Sequence, residues 1–386
     1  MAAEKNNKTL NVPTLRFPEF DGEWEKVSLS EIATRVTRKN KNNESRLPLT
    51  ISAQYGLVDQ VTFFNKVVAS SDMSNYYLLQ RGEFAYNKSY SGDYPWGAIK
   101  RLDRYDQGAL SSLYICFTPT DIIDSDFLVH YFESPKWHRE VSNIAGEGAR
   151  NHGLLNIAVP DFFNTQHCIT TKKKEQRKIA DFLNLINERI ETQKKVIEDF
   201  KKLKDAIRTK LFKQVENRCD VYNEIRNMLN YEQPTEYLVS STEYSDNYKT
   251  PVLTANKAFI LGYTDEVNGI YDKGNCIILD DFTMDVKYVT FPFKVKSSAI
   301  KILTSKQDVD LYFMYEYLLY LGLVSEEHKR HYISEIEPMS IICPPLPKQR
   351  QISNVLRALE IQVESAETYQ DLLSKQKQYL LNQMFI

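Results

Sequence analysis

The chain has 386 residues, 42% of them hydrophobic and 26% charged, which is enough to build two or three packed domains. The formal net charge is −2 and the pI is about 6.4. This balance argues against a simple cationic DNA binder, so any nucleic-acid function requires local basic patches or a partner that shares the phosphate contacts.

Targeting segments and metal-binding patterns are also missing from the sequence. The five cysteines lie far apart, without a C-x-x-C pair or clustered histidines, which argues against a disulfide framework and against a zinc site. The polar start of the chain lacks the apolar core of a signal peptide, and no apolar run approaches the length of a membrane span. We therefore expect a soluble protein of the cytoplasm.

The first globular half, residues 15–171, is predicted to be α+β. Ser28 and Glu31 have capping-box spacing, so a short helix is expected to begin there, ahead of Ile32. Glycine and proline punctuate the rest of this half, which favours short strands joined by turns. The expected strands are residues 56–64, 82–87, 96–102 and 110–117, and a helix is expected over residues 126–134.

A long lysine-rich helix is predicted over residues 172–213, and it is followed by a second α+β half, residues 214–345. The second half opens with a helical lead-in, residues 221–229. Its expected strands are residues 250–255, 260–263, 276–279, 287–291 and 299–303, and its expected helix is residues 310–322. A second long helix, residues 346–386, ends the chain.

The two long helical segments form an internal repeat. Gln176-Arg177 aligns with Gln349-Arg350, and the alignment continues without gaps at an offset of 173 positions. Because one such helix follows each globular half, we expect a pseudo-two-fold molecule whose helices run antiparallel and separate two globular domains. About forty helical residues form a rod of roughly 60 Å.

Apolar residues in both segments step alternately by four and three positions, which is the pattern of a coiled-coil seam. Lys204 and Lys377 interrupt the two seams at equivalent places, and a polar seam residue costs stability but can fix register. The apolar seam residues are Ile179, Leu183, Ile186, Ile190, Ile197, Phe200, Ile207 and Leu211 in the first segment, and Ile352, Leu356, Leu359, Val363, Leu373, Leu380 and Met384 in the second.

Several strings of residues resemble those of one known family. They are Val12-Pro13-Thr14-Leu15-Arg16-Phe17-Pro18 with Trp24-Glu25, Lys174-Glu175-Gln176-Arg177-Lys178-Ile179-Ala180, Pro251-Val252-Leu253-Thr254-Ala255-Asn256-Lys257, Asp280-Asp281-Phe282-Thr283, and Leu346-Pro347-Lys348-Gln349-Arg350-Gln351-Ile352. Together with two unlike halves that each end in a matching helix, they resemble the specificity (S) subunit of type I restriction–modification enzymes. The second half lacks a counterpart of the Phe17–Trp24 opening, so its lead-in, residues 217–233, is expected to be a local embellishment.

The resemblance implies two target-recognition domains, residues 1–171 and 214–345, each reading one half of a split DNA site. Spacer helices at residues 172–213 and 346–386 would set the gap between the half-sites and dock two methyltransferase (M) subunits. Restriction (R) translocase–nuclease subunits would join to cut unmodified DNA. The chain itself would hold no metal or cofactor, since the M subunits would bind S-adenosylmethionine.

The residues also lack the motifs for the chemistry of such a complex. An amino-methyltransferase requires an Asn/Asp-Pro-Pro-aromatic loop, whereas Cys343-Pro344-Pro345-Leu346 has neither the polar side chain nor the aromatic one. Gly146-Glu147-Gly148 lacks the neighbours of a phosphate loop. Pro160-Asp161 with Glu175-Gln176-Arg177 resembles a nuclease site only in part, because arginine replaces the lysine. We expect no catalytic residue.

Candidate DNA contacts are chosen because hydrogen-bonding side chains read base edges while lysine and arginine hold phosphates. Ordinary surface turns and solvated strand faces have a similar composition. The basic run at residues 172–174 suits a partner-docking face better than DNA. The candidates are Lys88, Ser89, Tyr90, Ser91, Arg150, Asn151, His152, Lys257, Lys287, Lys294, Lys296, Lys329, Arg330 and His331.

Two other functions remain open from the residues. A coiled-coil scaffold that assembles proteins without reading DNA accounts for the long helices and the low pI. A stand-alone restriction–methylation enzyme would need the methyltransferase and nuclease motifs that are missing.

Overall fold

The computed structural model describes residues 10–66, 69–92, 94–146, 153–254, 259–324 and 331–386. Helices and strands are mixed in both halves of these residues, which confirms the α+β class. Among them, no helix is long and apolar enough to cross a membrane. The chain divides into two compact units, Met1–Gln193 with Tyr369–Ile386, and Lys194–Thr368.

The first unit contains two four-stranded sheets and a separate strand pair. The strands are β1 (Glu25–Ser28), β2 (Ala33–Arg35), β3 (Pro48–Ser52), β4 (Gly56–Asp59), β5 (Tyr77–Gln80), β6 (Phe84–Asn87), β7 (Ala98–Arg101), β8 (Gln107–Leu110), β9 (Ile115–Pro119) and β10 (Gln166–Ile169). The helices are α1 (Leu29–Ile32), α2 (Gln60–Phe64), α3 (Ser125–Glu133), α4 (His138–Ile144), α5 (Val159–Phe163) and the start of α6 (Lys173–Glu216). The sheet orders are β2-β9-β6-β7 and β4-β3-β8-β5, and β1 pairs with β10.

The second unit contains the end of α6, the remaining strands and the start of the last helix. The strands are β11 (Tyr222–Glu224), β12 (Leu229–Glu232), β13 (Thr250–Leu253), β14 (Ile260–Thr264), β15 (Cys276–Asp280), β16 (Val286–Val289), β17 (Lys294–Val295), β18 (Ile300–Ser305) and β19 (Ser340–Ile342). The helices are α7 (Ile225–Met228), α8 (Leu311–Leu321) and α9 (Leu346–Met384). The sheet orders are β12-β18-β15-β16 and β14-β13-β17, and β11 pairs with β19.

The two units share one topology. Sheet β2-β9-β6-β7 corresponds to β12-β18-β15-β16, and the parallel pair β3/β8 corresponds to the parallel pair β13/β17. In each unit a short strand before the domain pairs antiparallel with the strand that precedes a long helix. The two halves therefore follow the same order in these elements although their sequences differ, while α2 and β5 of the first unit have no counterpart among the described elements of the second.

This correspondence corrects the expectation about the second lead-in. Residues 217–233 are not a local embellishment, because β11, α7 and β12 repeat β1, α1 and β2 in order. The predicted helix over residues 221–229 was wrong except for the single turn Ile225–Met228, since strand pairing takes up Tyr222–Glu224 and Leu229–Glu232. The helix predicted after Ser28 is confirmed as α1, with the Ser28 N–H donating to the Glu31 carboxylate at 2.6 Å.

Two strands expected in the first half were wrong in extent. The segment 56–64 turns from strand into helix at Asp59, whose carboxylate accepts from the backbone N–H groups of Val61 and Thr62 and so caps α2. The segment 110–117 is split by a turn, so that β8 and β9 belong to different sheets. Apolar runs alone did not reveal either break.

The two long helices run antiparallel. In the first unit, Leu183 near the start of α6 shares a buried cluster with Leu380 near the end of α9. In the second unit, Leu211 near the end of α6 lies in a cluster with Ile352 near the start of α9. Each domain core is continuous with this helix pair, so the helices are part of the folded units.

A buried glutamine joins the first long helix to the first domain. Gln176, in the first turns of α6, is fully buried. Its side-chain oxygen accepts from the Asp124 N–H at 2.7 Å, and its amide donates to the Thr170 carbonyl at 2.7 Å. Asp124 is also the N-cap of α3, so one side chain fixes both the domain helix and the loop before α6.

The same arrangement recurs in the second unit. Gln349, in the first turns of α9, is 1% exposed. Its oxygen accepts from the N–H of Asp310, the N-cap of α8, at 2.9 Å, and its amide donates to the Pro344 carbonyl at 2.8 Å. The repeated Gln-Arg pair of the sequence therefore marks two equivalent tethers between helix and domain.

We expect Gln349→Leu to lower the free energy of unfolding by about 2 kcal/mol or more, because it leaves a buried donor and a buried acceptor without partners. Urea denaturation followed by circular dichroism measures the change. Gln351→Leu, at an exposed position of the same helix, is the matched control and should shift stability by less than about 0.5 kcal/mol. Equal stability of the two variants would show that the tether is not important.

Candidate nucleic-acid interface

Two loops that the sequence selected separately meet in the first unit. The Leu155 N–H donates to the Lys88 carbonyl at 2.9 Å, and the Tyr90 N–H donates to the Gly153 carbonyl at 2.9 Å. The polar loop after β6 therefore lies beside the segment that follows residues 147–152. Arg150, Asn151 and His152 themselves lie outside the described residues.

The loop after β6 presents hydrogen-bonding side chains beside a close return of the chain. Ser89, Tyr90 and Ser91 are exposed, and Lys88 is half-buried. The return is close at Gly97, which has a φ of +77° and where a Cβ would meet the Asn87 carbonyl oxygen at 2.1 Å. Only glycine permits this close return of the chain.

A buried aspartate anchors the corresponding region of the second unit. One Asp281 oxygen accepts from the backbone N–H groups of His331 (3.0 Å) and Tyr332 (2.7 Å). The other lies 3.2 Å from the Lys301 amine, and both side chains are 1% exposed. Lys301 also donates to the Tyr231 hydroxyl at 3.1 Å. The chain that leaves residues 325–330 is thus fixed to the central sheet by a fully buried ion pair.

Sequence reasoning missed this anchor. Asp281 was noticed only as part of a family string, and Lys301 was not singled out. The available signal was a lysine at an inward position of the apolar strand β18, where a cation requires a buried carboxylate as partner.

The predicted contact residues of the second unit differ in their surroundings. Lys287 on β16 and Lys296 after β17 are exposed, and the Lys296 N–H donates to the Leu253 carbonyl beside residues 255–258. Lys257, Lys329 and Arg330 lie outside the described residues.

Lys294 and His331 are placed differently from the other candidates. The Lys294 amine is 3% exposed, donates to the Asn268 and Gly269 carbonyls, and lies 3.1 Å from the Glu266 carboxylate. His331 is buried, with its ring 2.8 Å from Glu335. Both positions argue against direct contact with DNA, since their polar atoms already serve the fold.

The proposed seam residues are buried or half-buried along both long helices. The two seam lysines are accommodated by carboxylates. Lys204 lies 2.8 Å from Glu316 of α8, which is fully buried, and it also pairs with Glu360 of α9. Arg208, one turn later, contacts the same Glu316 at 2.7 Å. A charge cluster thus joins α6, α8 and α9 in the second unit.

The equivalent lysine of the first unit uses a different network. Lys377 lies 2.9 Å from Glu133 at the end of α3, and Glu133 contacts His130, which contacts Asn184 of α6 at 2.9 Å. Burial by itself raises the pKa of Glu133, but the His130 hydrogen bond and the Lys377 charge outweigh it and hold the pKa at about 2. The carboxylate therefore stays charged at neutral pH.

No group of three or more His, Cys, Asp or Glu side chains suited to a metal ion occurs among the described residues. Glu175, the acidic part of the nuclease-like string, is fully buried, with Arg16 at 2.7 Å and the Thr170 hydroxyl at 2.7 Å. It serves the fold, as a carboxylate in a structural ion pair.

Residues 224–374 match the family model described as "Type I restriction modification DNA specificity domain". The "Type I restriction enzyme EcoR124I/EcoR124II specificity subunit" of Escherichia coli is 44% identical over 160 residues, which cover 39% of this chain and 40% of that relative. The matching region thus spans less than half of the curated relative's length.

Two solved structures share the fold over almost the whole chain. One is the "Type-I restriction-modification system S subunit from M. genitalium", with a TM-score of 0.57, 17% identity and coverage of 97% of this chain and 99% of that chain. The other, described as "Structural basis underlying complex assembly and conformational transition of the type I R-M system", has a TM-score of 0.57, 14% identity and coverage of 94% and 97%. At these identities the likeness concerns the fold alone.

We expect Asp281→Ala to lower the free energy of unfolding by about 3–5 kcal/mol, because it leaves the Lys301 amine buried without its carboxylate. Asp285→Ala, an exposed aspartate four residues on, is the control and should have little effect. Adding Lys301→Met should restore part of the loss, which a double-mutant cycle in urea measures. Simple additivity of the two losses would contradict the ion pair.

Proposed function

We propose that this chain, a member of the type I restriction–modification specificity-subunit family, selects the DNA sequence on which such a complex acts. It would recognise an asymmetric, bipartite target and direct the methyltransferase and restriction subunits to it. The chain would do no chemistry of its own. S-adenosylmethionine would be bound by the methyltransferase subunits.

One observation carries this proposal: the two domains repeat one topology and one glutamine tether, while their candidate reading regions differ. Because the two domains share this topology and these contacts, they would be placed equivalently on a duplex. Unlike loops would then read unlike half-sites. We assign residues 1–171 and 214–345 to the two target-recognition domains, and residues 172–213 and 346–386 to the spacer helices.

The proposed DNA contacts are the candidates whose side chains are exposed or half-buried, together with the candidates that lie outside the described residues. They are Lys88, Ser89, Tyr90, Ser91, Arg150, Asn151 and His152 in the first domain, and Lys257, Lys287, Lys296, Lys329 and Arg330 in the second. Lys294 and His331 are left out because their polar groups are buried and bonded. The net charge of −2 supports a division of labour in which methyltransferase subunits supply much of the phosphate contact.

The proposed partners are double-stranded DNA, two methyltransferase subunits and restriction subunits. The five cysteines are free thiols in the described structure, which supports a cytoplasmic location.

The direct test is genome-wide sequencing of modified bases in a methylation-free host. The host would express this chain with its neighbouring methyltransferase subunit, and the control host would express the methyltransferase alone. We expect a split, asymmetric methylated motif only when this chain is present. Absence of new methylation, with both proteins folded and associated, would favour the scaffold function instead.

Shortening both spacer helices should change the gap between half-sites and leave the half-sites themselves unaltered. Deleting residues 190–196 together with residues 363–369 removes one heptad at equivalent places of the repeat. Seven residues correspond to about 10 Å of helix, or about three base pairs of duplex. The same sequencing assay reads the gap, and a variant that methylates sites with the original gap would contradict the spacer role.

A further inference from the structure

A cavity of about 250 Å³ opens in the second unit, between the last turns of α6 and the first turns of α9. Its walls are apolar, with basic groups at the rim. The described lining residues are Leu211, Gln214, Val215, Arg218, Cys219, Pro344, Pro345, Lys348 and Ile352. No acidic side chain is among them. The functions described above do not use this cavity.

The internal repeat identifies the region of the first unit that is equivalent to this cavity. At the offset of 173 positions, Lys348, Ile352 and Leu211 correspond to Glu175, Ile179 and Met384 of the first unit. In the first unit this region is covered by residues 15–24, defined here as the N-terminal arm.

The arm closes the equivalent site with an aromatic side chain and a charge. Trp24 is 2% exposed, donates from its indole nitrogen to Glu175 at 3.3 Å, and packs against Phe385. Arg16 forms the ion pair with Glu175, and the Leu15 N–H donates to the Gln383 carbonyl at 2.9 Å. The first unit thus fills its site with an apolar group beside a cation.

Among the described residues of the second unit, none takes the place of Trp24. Trp24 precedes β1, and the residue that precedes the equivalent strand β11 is Val221, which is 59% exposed. Its carbonyl accepts from the Cys343 N–H at 2.9 Å, so the backbone at Val221 lies next to the cavity wall at Pro344. Val221 is not among the residues that line the cavity and therefore does not close it.

The charge at the cavity is opposite to that of the first unit. Lys348 replaces Glu175, and the exposed Arg218 lies on the same rim. The N-terminal arm of a second copy is not free to enter this cavity, because its Trp24 is buried and its Arg16 is paired with Glu175 within its own first unit. An apolar side chain would suit the apolar walls of the cavity, and a carboxylate beside it would pair with the cations at the rim.

We propose that this cavity receives an apolar, preferably aromatic, side chain from an acidic segment of the methyltransferase subunit. The proposal rests on the proposed function, in which two such subunits bind one specificity subunit. Because the first unit closes its equivalent site with its own arm, the two methyltransferase positions are unequal, and only the one at the second unit uses the cavity.

Val221→Trp tests the occupancy directly, since it places a tryptophan where Trp24 stands in the first unit. Native mass spectrometry of the full chain titrated with methyltransferase subunit is the measurement. We expect wild type to bind two subunits and Val221→Trp to bind the second one at least about tenfold more weakly. Val324→Trp, at an 80% exposed position of the same unit, is the matched control and should bind both.

A second, independent experiment reverses the positive charges at the rim of the cavity. Lys348→Glu with Arg218→Glu should also weaken binding of one subunit, whereas Lys66→Glu on the exposed surface of the first unit should not. Unchanged binding of two subunits by both the tryptophan and the charge variants overturns the proposal. Self-association of wild type that Val221→Trp abolishes would assign the cavity to a second copy and also overturn it.

A third experiment uses only the wild-type chain, so its result does not depend on whether a variant folds. Cys219 lines the cavity and Cys168 of the first unit is similarly half-buried, so their alkylation rates are compared by mass spectrometry with and without the methyltransferase subunit. We expect selective protection of Cys219, and equal rates for it in the free and bound states contradict the proposal. Failure of wild type to bind any methyltransferase subunit would instead refute the proposed function.

Discussion

The attachment of each globular domain to its long helix depends on one buried amide side chain. A glutamine offers an acceptor and a donor together, so Gln176 and Gln349 each satisfy the N–H of a helix cap and the carbonyl of the loop before the long helix. An apolar residue at these positions would leave both backbone groups buried without partners, and a charged one would add a desolvation cost. This bond pair acts together with the shared apolar clusters and the buried ion pairs to hold each domain on its helix.

On this repeated frame the two units have diverged in the parts that face outward. The first unit pairs its polar loop with the chain around Gly153, and it closes its helix ends with the N-terminal arm. The second unit fixes its corresponding chain through Asp281 and Lys301 and leaves a cavity at the helix ends. The equivalent seam lysines likewise have different partners, since Lys204 is neutralised by Glu316 and Lys377 by Glu133. A frame that repeats while its surfaces differ suits a ligand whose two halves are unlike.

The sequence predicts the parts of this structure that rest on periodic burial and fails where a side chain acts across the chain. The long helices and the repeat were predicted because Ile179, Ile352 and their seam neighbours recur with helical spacing over many turns. The break at Asp59 depends on a local cap inside an apolar run, and the role of Val221–Leu229 depends on pairing with strands about 75–120 residues later. Lys294 looked like a surface cation because its partners, the Asn268 and Gly269 carbonyls, are supplied by the fold.

The buried cations also show why composition gives a poor picture of the charge at the surface of this chain. Lys204, Lys294 and Lys301 have side chains less than 10% exposed, and each is paired with a carboxylate. Such pairs count equally as positive and negative in the net charge but present almost no potential at the surface. The field outside the described surface is therefore set by exposed lysines and arginines, such as Lys287 and Lys296, against a similar number of exposed acids. Under the proposed function, such a surface requires a more basic partner to hold the duplex against it, because exposed charges of both signs in similar number give little net attraction for phosphates.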